Sequence, residues 1–115
     1  MEPVIVHITS ATQWERAAAT GSYEADSLAT EGFIHFSFPH QIVRVANAFY
    51  RGDPDLVVLV VDPGRLRAPL KFEVPEPGAP EYPHLYGELN IDAVTNVIPF
   101  VEGPDGYEVP AELGT

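Results

Sequence analysis

Short apolar runs separated by polar turns dominate the hydrophobic pattern of this chain, which is typical of strands. Residues 4–9 and 33–37 are β-branched or aromatic at most positions, so each predicts a strand. Residues 56–61 are apolar at every position, which predicts a central strand covered on both faces. Residues 70–74 and 93–101 predict two further strands.

A first helix is predicted directly after the first strand. Either Ser10 or Thr12 can cap it, the latter through capping-box spacing to a glutamate three residues on. Gly21 is a natural end for this helix. Trp14 and Ala18 lie on one face of it, and we expect this face to pack on the sheet.

A second, more strongly periodic helix is predicted over residues 39–50, with Pro39 at its start. Its apolar positions recur at spacings of three and four, as in a buried stripe, and are Ile42, Val45, Ala46 and Phe49. A shorter helix is predicted over residues 24–29. The chain therefore has two main helices.

Glycine, proline and aspartate mark the connections between these elements. Turns are predicted at residues 52–55 and 103–106, the latter followed by a hairpin piece at residues 107–109. Residues 75–83 contain four prolines and two glutamates and predict an exposed loop. The pattern as a whole predicts an α+β fold of small, mixed and largely antiparallel sheets, in one domain covering residues 1–115.

Composition supports a compact domain and argues against several classes of partner. The chain has 115 residues, of which 45% are hydrophobic, which is enough for a core. Six basic against 17 acidic residues give a net charge of -11, which disfavours nucleic acid and anionic membranes. There is no cysteine, and we see neither a targeting segment nor a membrane span. We expect a cytoplasmic protein that acts as a monomer and has a small molecule as its partner.

Two predicted strands carry the same pattern of a histidine followed two residues later by a hydroxyl. His7 and Thr9 share one strand face, and His35 and Ser37 share another. Each histidine can be a core residue bonded to a backbone carbonyl. Burying two imidazoles at matching positions costs desolvation, however, so the pair favours a cleft lined by both rings.

Other polar residues are candidates for the same cleft. His84 and Tyr86 lie in an aromatic-rich turn that ends the proline loop, where His84 can either pack or line a pocket mouth. Glu73 ends an apolar strand and Glu88 follows Tyr86 and a glycine, so either can supply a functional carboxylate.

Common catalytic and cofactor motifs do not occur in the sequence. No HExxH, H-x-x-x-H or EF-hand pattern is present, so we expect no metal. The absence of cysteine and of G-x-S-x-G argues against a hydrolase nucleophile. Without G-x-G-x-x-G or a Walker A loop, any nucleotide must bind in some other way.

Several of these residues belong to a larger set that resembles the bacterial domain-of-unknown-function family 952. The matching segments are Val6-His-Ile8, Trp14, Gly21-Ser-Tyr23, Ser27-Leu28, Glu31-Gly-Phe-Ile-His-Phe-Ser37, Gln41, Glu73 and Pro83-His-Leu-Tyr-Gly87. The resemblance covers essentially the whole chain. It implies an ADP-ribosyltransferase-like fold, whose members bind NAD in a cleft between two small sheets.

The resemblance also implies roles for particular residues. His7 and Thr9 look like the first-strand pair of that superfamily, and the strand with His35 is similar to one in RNA 2'-phosphotransferases. The glutamate that many transferases carry on a third strand has two counterparts here, Glu73 and Glu88. The chain lacks the arginines of the phosphotransferases and the E-x-E pair of the toxins, which argues against tRNA and protein substrates.

The resulting expectation is a site that binds NAD or a related nucleotide and transfers or hydrolyses its ADP-ribosyl group. We assign His7, His35 and Glu73 to catalysis. The ligand-binding residues are expected to be Thr9, Ser37, Gln41, Arg44, His84, Tyr86 and Glu88, with Arg44 meeting a phosphate from the helix after Pro39. The alternatives are a non-catalytic module that binds a small molecule or peptide, and an interaction protein that uses residues 75–83.

Overall fold

Three small antiparallel sheets and three α-helices make up the computed structural model, which describes residues 4–113. In chain order the elements are β1 (Ile5–Ser10), α1 (Ala11–Thr20), β2 (Ser22–Tyr23), α2 (Asp26–Glu31), β3 (Ile34–His35), α3 (Ile42–Phe49), β4 (Leu56–Val61), β5 (Leu70–Glu73), β6 (Tyr82–Leu85), β7 (Leu89–Asn90) and β8 (Val94–Phe100). Every pair of these strands is antiparallel, so the predicted α+β class with antiparallel sheets is confirmed.

The largest sheet has the strand order β1-β4-β8, with the uniformly apolar β4 in its centre. All six β4 residues are buried, because each face of this sheet is covered by a separate core. One core lies between this sheet and α3, and includes Val6, Val58 and Ile42. The other lies between the sheet, α1 and the two smaller sheets, and includes Leu59 and Ile34.

A second three-stranded sheet has the order β3-β6-β5, and its central strand was not predicted from the sequence. Residues 82–85 were expected to end a loop and form a turn, but they pair with β3 and β5 on either side. Proline and histidine in this segment mask the alternation, although Leu85 faces the core and His84 the opposite side. The remaining sheet pairs β2 with β7, neither of which was predicted.

The strand expected at residues 33–37 is shorter, and its end connects two sheets. Only Ile34 and His35 pair with β6. The chain then crosses to β1, where Ser37 forms a two-way backbone bridge with Val6, with N···O distances of 2.9 and 2.8 Å. This crossing places the backbone of His35 beside β1.

Helix α1 begins at the earlier of the two predicted caps. The Ser10 side chain accepts a hydrogen bond from the Gln13 N–H at 3.1 Å, so the capping box expected from Thr12 is not used. Gly21 ends the helix in the left-handed region with φ of 99°. Trp14 packs on the core as expected, but Ala17 is the buried alanine of this face and Ala18 is exposed.

Three other expectations need correction. The short helix runs from Asp26 to Glu31 rather than over residues 24–29, because Gly32 ends it. Phe49 is 77% exposed, since the buried residues of α3 are Ile42 and Ala46, and the next residue at this spacing is the partly buried Tyr50, directly after the helix. Residues 107–109 form no hairpin: the Tyr107 N–H donates to Asn47 and its hydroxyl donates to the Tyr50 carbonyl.

No helix of residues 4–113 has the length and apolar character needed to cross a membrane. Two predictions involve residues outside those that the structure describes. The prediction about a targeting segment includes residues 1–3, and the predicted single domain includes residues 1–3, 114 and 115.

Candidate functional site

His7 is buried between the sheets, with both ring nitrogens engaged. It lies on the β1 face that points to the α1 side of the central sheet, and it is 7% exposed. Its Nδ1 lies 2.5 Å from the His35 carbonyl oxygen, and its Nε2 lies 2.8 Å from the Tyr23 hydroxyl. Burial lowers the pKa of His7 to about 4, so the ring is neutral at neutral pH.

The hydrogen bonds continue from His7 towards the start of α1. The Tyr23 hydroxyl is 2.9 Å from Thr9 Oγ1, which in turn is 2.8 Å from Gln13 Oε1. Burial raises the pKa of Tyr23 to about 12, so this hydroxyl keeps its proton. We call the four residues His7, Tyr23, Thr9 and Gln13 the His7 chain.

The His7 chain lines a cavity of about 580 Å³ at the point where β1 runs into α1. We call it the β1 cavity. Its other walls include His35 and three aspartates, Asp26, Asp53 and Asp55. Within the described part of the chain, no lysine or arginine lines it. The cavity is therefore acidic and suits a cationic or hydroxyl-rich group better than a phosphate.

Asp55 lies in the wall of the β1 cavity next to the start of α1. It has φ of 55°, in the left-handed region that non-glycine residues seldom adopt. Its carbonyl accepts the Ala11 N–H at 2.8 Å, which ties this turn to the first residue of α1. Unfavourable backbone conformations of this kind often occur at functional sites.

A second group of polar and aromatic side chains lies on the outer face of the β3-β6-β5 sheet. Its centre is Glu73 on β5, whose Oε1 accepts hydrogen bonds from the Tyr86 hydroxyl at 2.5 Å and from His84 Nδ1 at 2.9 Å. These bonds, with that from Tyr86 the stronger influence, hold the pKa of Glu73 below its ordinary value. We call Glu73, His84 and Tyr86 the outer cluster.

Aromatic contacts pack the outer cluster together. Phe33 stacks on His84 with ring centroids 4.1 Å apart, and the His35 ring meets His84 edge to face at 5.4 Å. Lys71 Nζ lies 4.7 Å from the centroid of the Tyr86 ring. The His84 ring is buried, while the Glu73 side chain is 37% exposed, so the carboxylate is the more accessible of the two.

His35 connects the outer cluster to the β1 cavity, which it lines together with His7 as predicted. Its carbonyl accepts the His7 N–H, whereas its ring bonds Glu31 at 3.0 Å and its side chain is 51% exposed. The His7 ring also packs on the core residue Phe36. Both histidines thus line the β1 cavity, but their rings have different partners, because His7 contacts the carbonyl of His35 and not its ring.

Four other predicted ligand-binding residues lie outside both sites. Ser37 is buried in its bridge to β1, and the Gln41 side chain bonds the backbone of Phe38 and Glu81. Arg44 is exposed on α3, which covers the other face of the central sheet. Glu88 accepts a 3.4 Å hydrogen bond from Ser22 at the β2–β7 pair.

Several residues of the β1 cavity were not predicted as site residues. Tyr23 lies in a strand of two residues, and its place in the Gly21-Ser-Tyr23 segment of the family resemblance is the signal that could have identified it. Gln13 looks like an ordinary surface residue of α1. The three aspartates are in loops or at a helix start, where aspartate is common. In residues 4–113 no group of three or more histidine, aspartate or glutamate side chains is arranged to hold a metal ion.

The fold and the two sites define a small antiparallel α+β domain in which the His7 chain lies beside an acidic cavity. The polypeptide belongs to the family described as "Protein of unknown function (DUF952)", whose model matches residues 8–97. The match includes every residue of the two sites except His7.

Solved structures of the Caulobacter crescentus protein CC0527 are similar to this chain. The crystal structure of CC0527 superposes with a TM-score of 0.86 and 32% sequence identity. The match covers 96% of the present chain and 97% of the CC0527 chain. Its solution NMR structure shares 33% identity over 90% of both chains, with a TM-score of 0.75. A comparison with curated proteins found no match. The relatives therefore support the fold and the family.

Proposed function

We propose that this protein binds NAD or a related nucleotide in the β1 cavity and transfers or hydrolyses its ADP-ribosyl group. The nicotinamide ring of NAD carries a positive charge, and the adjoining ribose carries hydroxyls. An acidic cavity with a hydroxyl and an amide in its wall suits this half of the molecule. The resemblance to ADP-ribosyltransferase-like folds supports the same class of ligand.

The lining of the β1 cavity by three aspartates is the observation that carries the proposal. When the nicotinamide–ribose bond breaks, its electron pair moves to the ring nitrogen and the ribose gains oxocarbenium character. A nearby carboxylate stabilises that positive charge. Water or an acceptor hydroxyl then forms the new bond to ribose and loses its proton. The carboxylates that line the cavity are those of Asp26, Asp53 and Asp55, whereas Glu73 does not line it.

Titration of NAD and ADP-ribose, followed by NMR of the backbone amides, tests the proposal. We expect shifts at Thr9, Gln13 and His35, and release of nicotinamide in the same sample. Asp55→Asn should lower nicotinamide release about 10-fold or more if this carboxylate stabilises the developing charge. Arg44→Ala is the matched control, since Arg44 is exposed on the far side of the central sheet. Shifts confined to other parts of the chain, or none at millimolar NAD, contradict the proposal.

A second candidate function is a binding module without catalysis. The observation that favours it is the lack of lysine and arginine among the cavity-lining residues, because a diphosphate gains little there. Such a module would take a cationic or neutral metabolite. It predicts that nicotinamide riboside, which has no phosphate, binds while no nicotinamide is released from NAD. Release above the rate of the free compound excludes this alternative.

A further inference from the structure

The hydrogen bonds of the His7 chain all donate in one direction, which the His35 carbonyl determines. A carbonyl oxygen can only accept, so His7 Nδ1 must carry the proton it donates to His35. A neutral imidazole has one N–H, which leaves Nε2 as an acceptor. The Tyr23 hydroxyl, 2.8 Å away, must therefore donate to His7.

The same reasoning fixes the next two links. Because the only proton of the Tyr23 hydroxyl is used on His7, Thr9 must donate to Tyr23; otherwise two oxygens lie 2.9 Å apart with no proton between them. Thr9 Oγ1 then has no proton left for Gln13 and can only accept. The contact at 2.8 Å has Gln13 Oε1 facing Thr9, so the amide must be turned by half a turn to bring its NH₂ group there.

The orientation with Gln13 Oε1 at 2.8 Å from Thr9 fits only a protonated His7. In that orientation Thr9 donates to Gln13, Tyr23 donates to Thr9 and His7 donates to Tyr23, which requires an N–H on both ring nitrogens. The oxygen and nitrogen of an amide differ only by a half-turn, and the network decides between them. With the ring neutral, Gln13 keeps its oxygen free for the β1 cavity.

We infer that Gln13 determines ligand specificity, presenting its amide oxygen to the β1 cavity and accepting a hydrogen bond from an N–H group of the ligand. This inference rests on the proposed function, and for NAD the donor is the carboxamide NH₂ of the nicotinamide. Thr9, Tyr23 and His7 act as positioning residues, because they set the orientation of the amide without touching the ligand donor.

NMR of the ligand-free protein tests the direction of hydrogen-bond donation in the His7 chain. The ¹⁵N shifts of the His7 ring at pH 7 should report a proton on Nδ1 and none on Nε2. Nuclear Overhauser contacts should connect the Gln13 NH₂ protons to the Thr9 methyl group. A proton on Nε2, or Gln13 NH₂ protons far from Thr9, would falsify the inferred orientation whatever ligand the protein binds.

Binding of a matched pair of ligands tests the specificity. In the 3-acetylpyridine analogue of NAD a methyl group replaces the carboxamide NH₂, so only the donor is lost. We expect it to bind the wild type roughly 5- to 10-fold more weakly than NAD, the effect of about one hydrogen bond. Thr9→Val should bring the ratio close to one because the amide can then rotate, and Thr9→Ser, which keeps the hydroxyl, should restore it.

The outcomes separate the inference from the proposed function. Equal binding of both compounds to the wild type, or an unchanged ratio in a folded Thr9→Val variant, overturns the specificity role while NAD binding stands. If NAD does not bind at all, the proposed function and the specificity role fail together. The NMR measurement on the ligand-free protein then still decides the direction of the chain.

Discussion

At the scale of single residues, His7 is held neutral because the core surrounds its ring and supplies one acceptor and one donor. The two partners come from β3 and β2, which are 28 and 16 residues away along the chain. The strand pattern placed His7 and Thr9 on one face, and their shared contact with Tyr23 confirms it. Which residues would meet that face depends on how the sheets pack, and alternation within β1 contains no such information.

Protonation of His7 should destabilise the folded protein in mild acid. Its pKa is 6.5 when unperturbed and about 4 in the fold, so the unfolded chain binds more protons between these values. The free energy of unfolding should therefore fall as the pH drops from about 6.5 to about 4, by up to about 3 kcal/mol. Urea denaturation across this range measures it.

A non-titrating variant isolates the contribution of His7 from that of the carboxylates. His7→Gln keeps a polar side chain at this position but cannot gain a proton in this range. The difference in unfolding free energy between wild type and variant should change with pH, with the wild type losing its advantage towards pH 4. A constant difference would show that His7 does not titrate as the buried ring requires.

At the scale of elements, prediction succeeded where one periodicity dominated and failed where turn residues interrupted it. The six apolar residues of β4 could only form a strand buried on both faces. In β6, Pro83 and the prolines before it predicted a loop. The Pro83 carbonyl instead accepts the Phe36 N–H and so holds the segment that crosses from β3 to β1. The two-residue strands β2 and β7 carry too few positions for any periodicity to be recognised.

The stripe of α3 gives a direct test of which positions bear the packing. Ile42 is fully buried and Phe49 is 77% exposed, although the spacing predicted both as core residues. Ile42→Ala should cost about 2–5 kcal/mol through the cavity it leaves. Phe49→Ala should stay within about 0.5 kcal/mol of the wild type, as surface changes do. Thermal or urea denaturation of both variants measures this, and equal costs would contradict the described position of α3.

In the turn after β6, steric crowding by Ala68 requires a glycine at position 87. A Cβ on Gly87 would lie 2.6 Å from the Ala68 Cβ, whereas a Cβ on Gly78, which also has positive φ, would meet no atom within 4 Å. Gly87→Ala should therefore cost about 1–3 kcal/mol more than the control Gly78→Ala. Adding Ala68→Gly should recover part of that difference. Similar costs in the two alanine variants, measured by urea denaturation, would mean that Ala68 can move away.

At the scale of the whole molecule, the net charge of -11 affects every ligand before any contact is made. The acidic β1 cavity adds to this field at the proposed site, and salt screens both contributions. NAD carries a net negative charge, whereas nicotinamide riboside is a cation that fits the same half of the proposed site. The two ligands should therefore respond to salt in opposite directions.

Raising NaCl from about 20 to about 300 mM shortens the screening length several-fold. The Kd of nicotinamide riboside should rise with salt, because its attraction to the aspartates weakens, and the Kd of NAD should fall as repulsion is screened. Isothermal titration at several salt concentrations measures both slopes, with Asp53→Asn as a variant that should flatten the slope for the riboside. A Kd for NAD that rises with salt would instead point to a cationic contact for its phosphates, and so to a binding position outside the β1 cavity, near Lys71 on the sheet that carries the outer cluster.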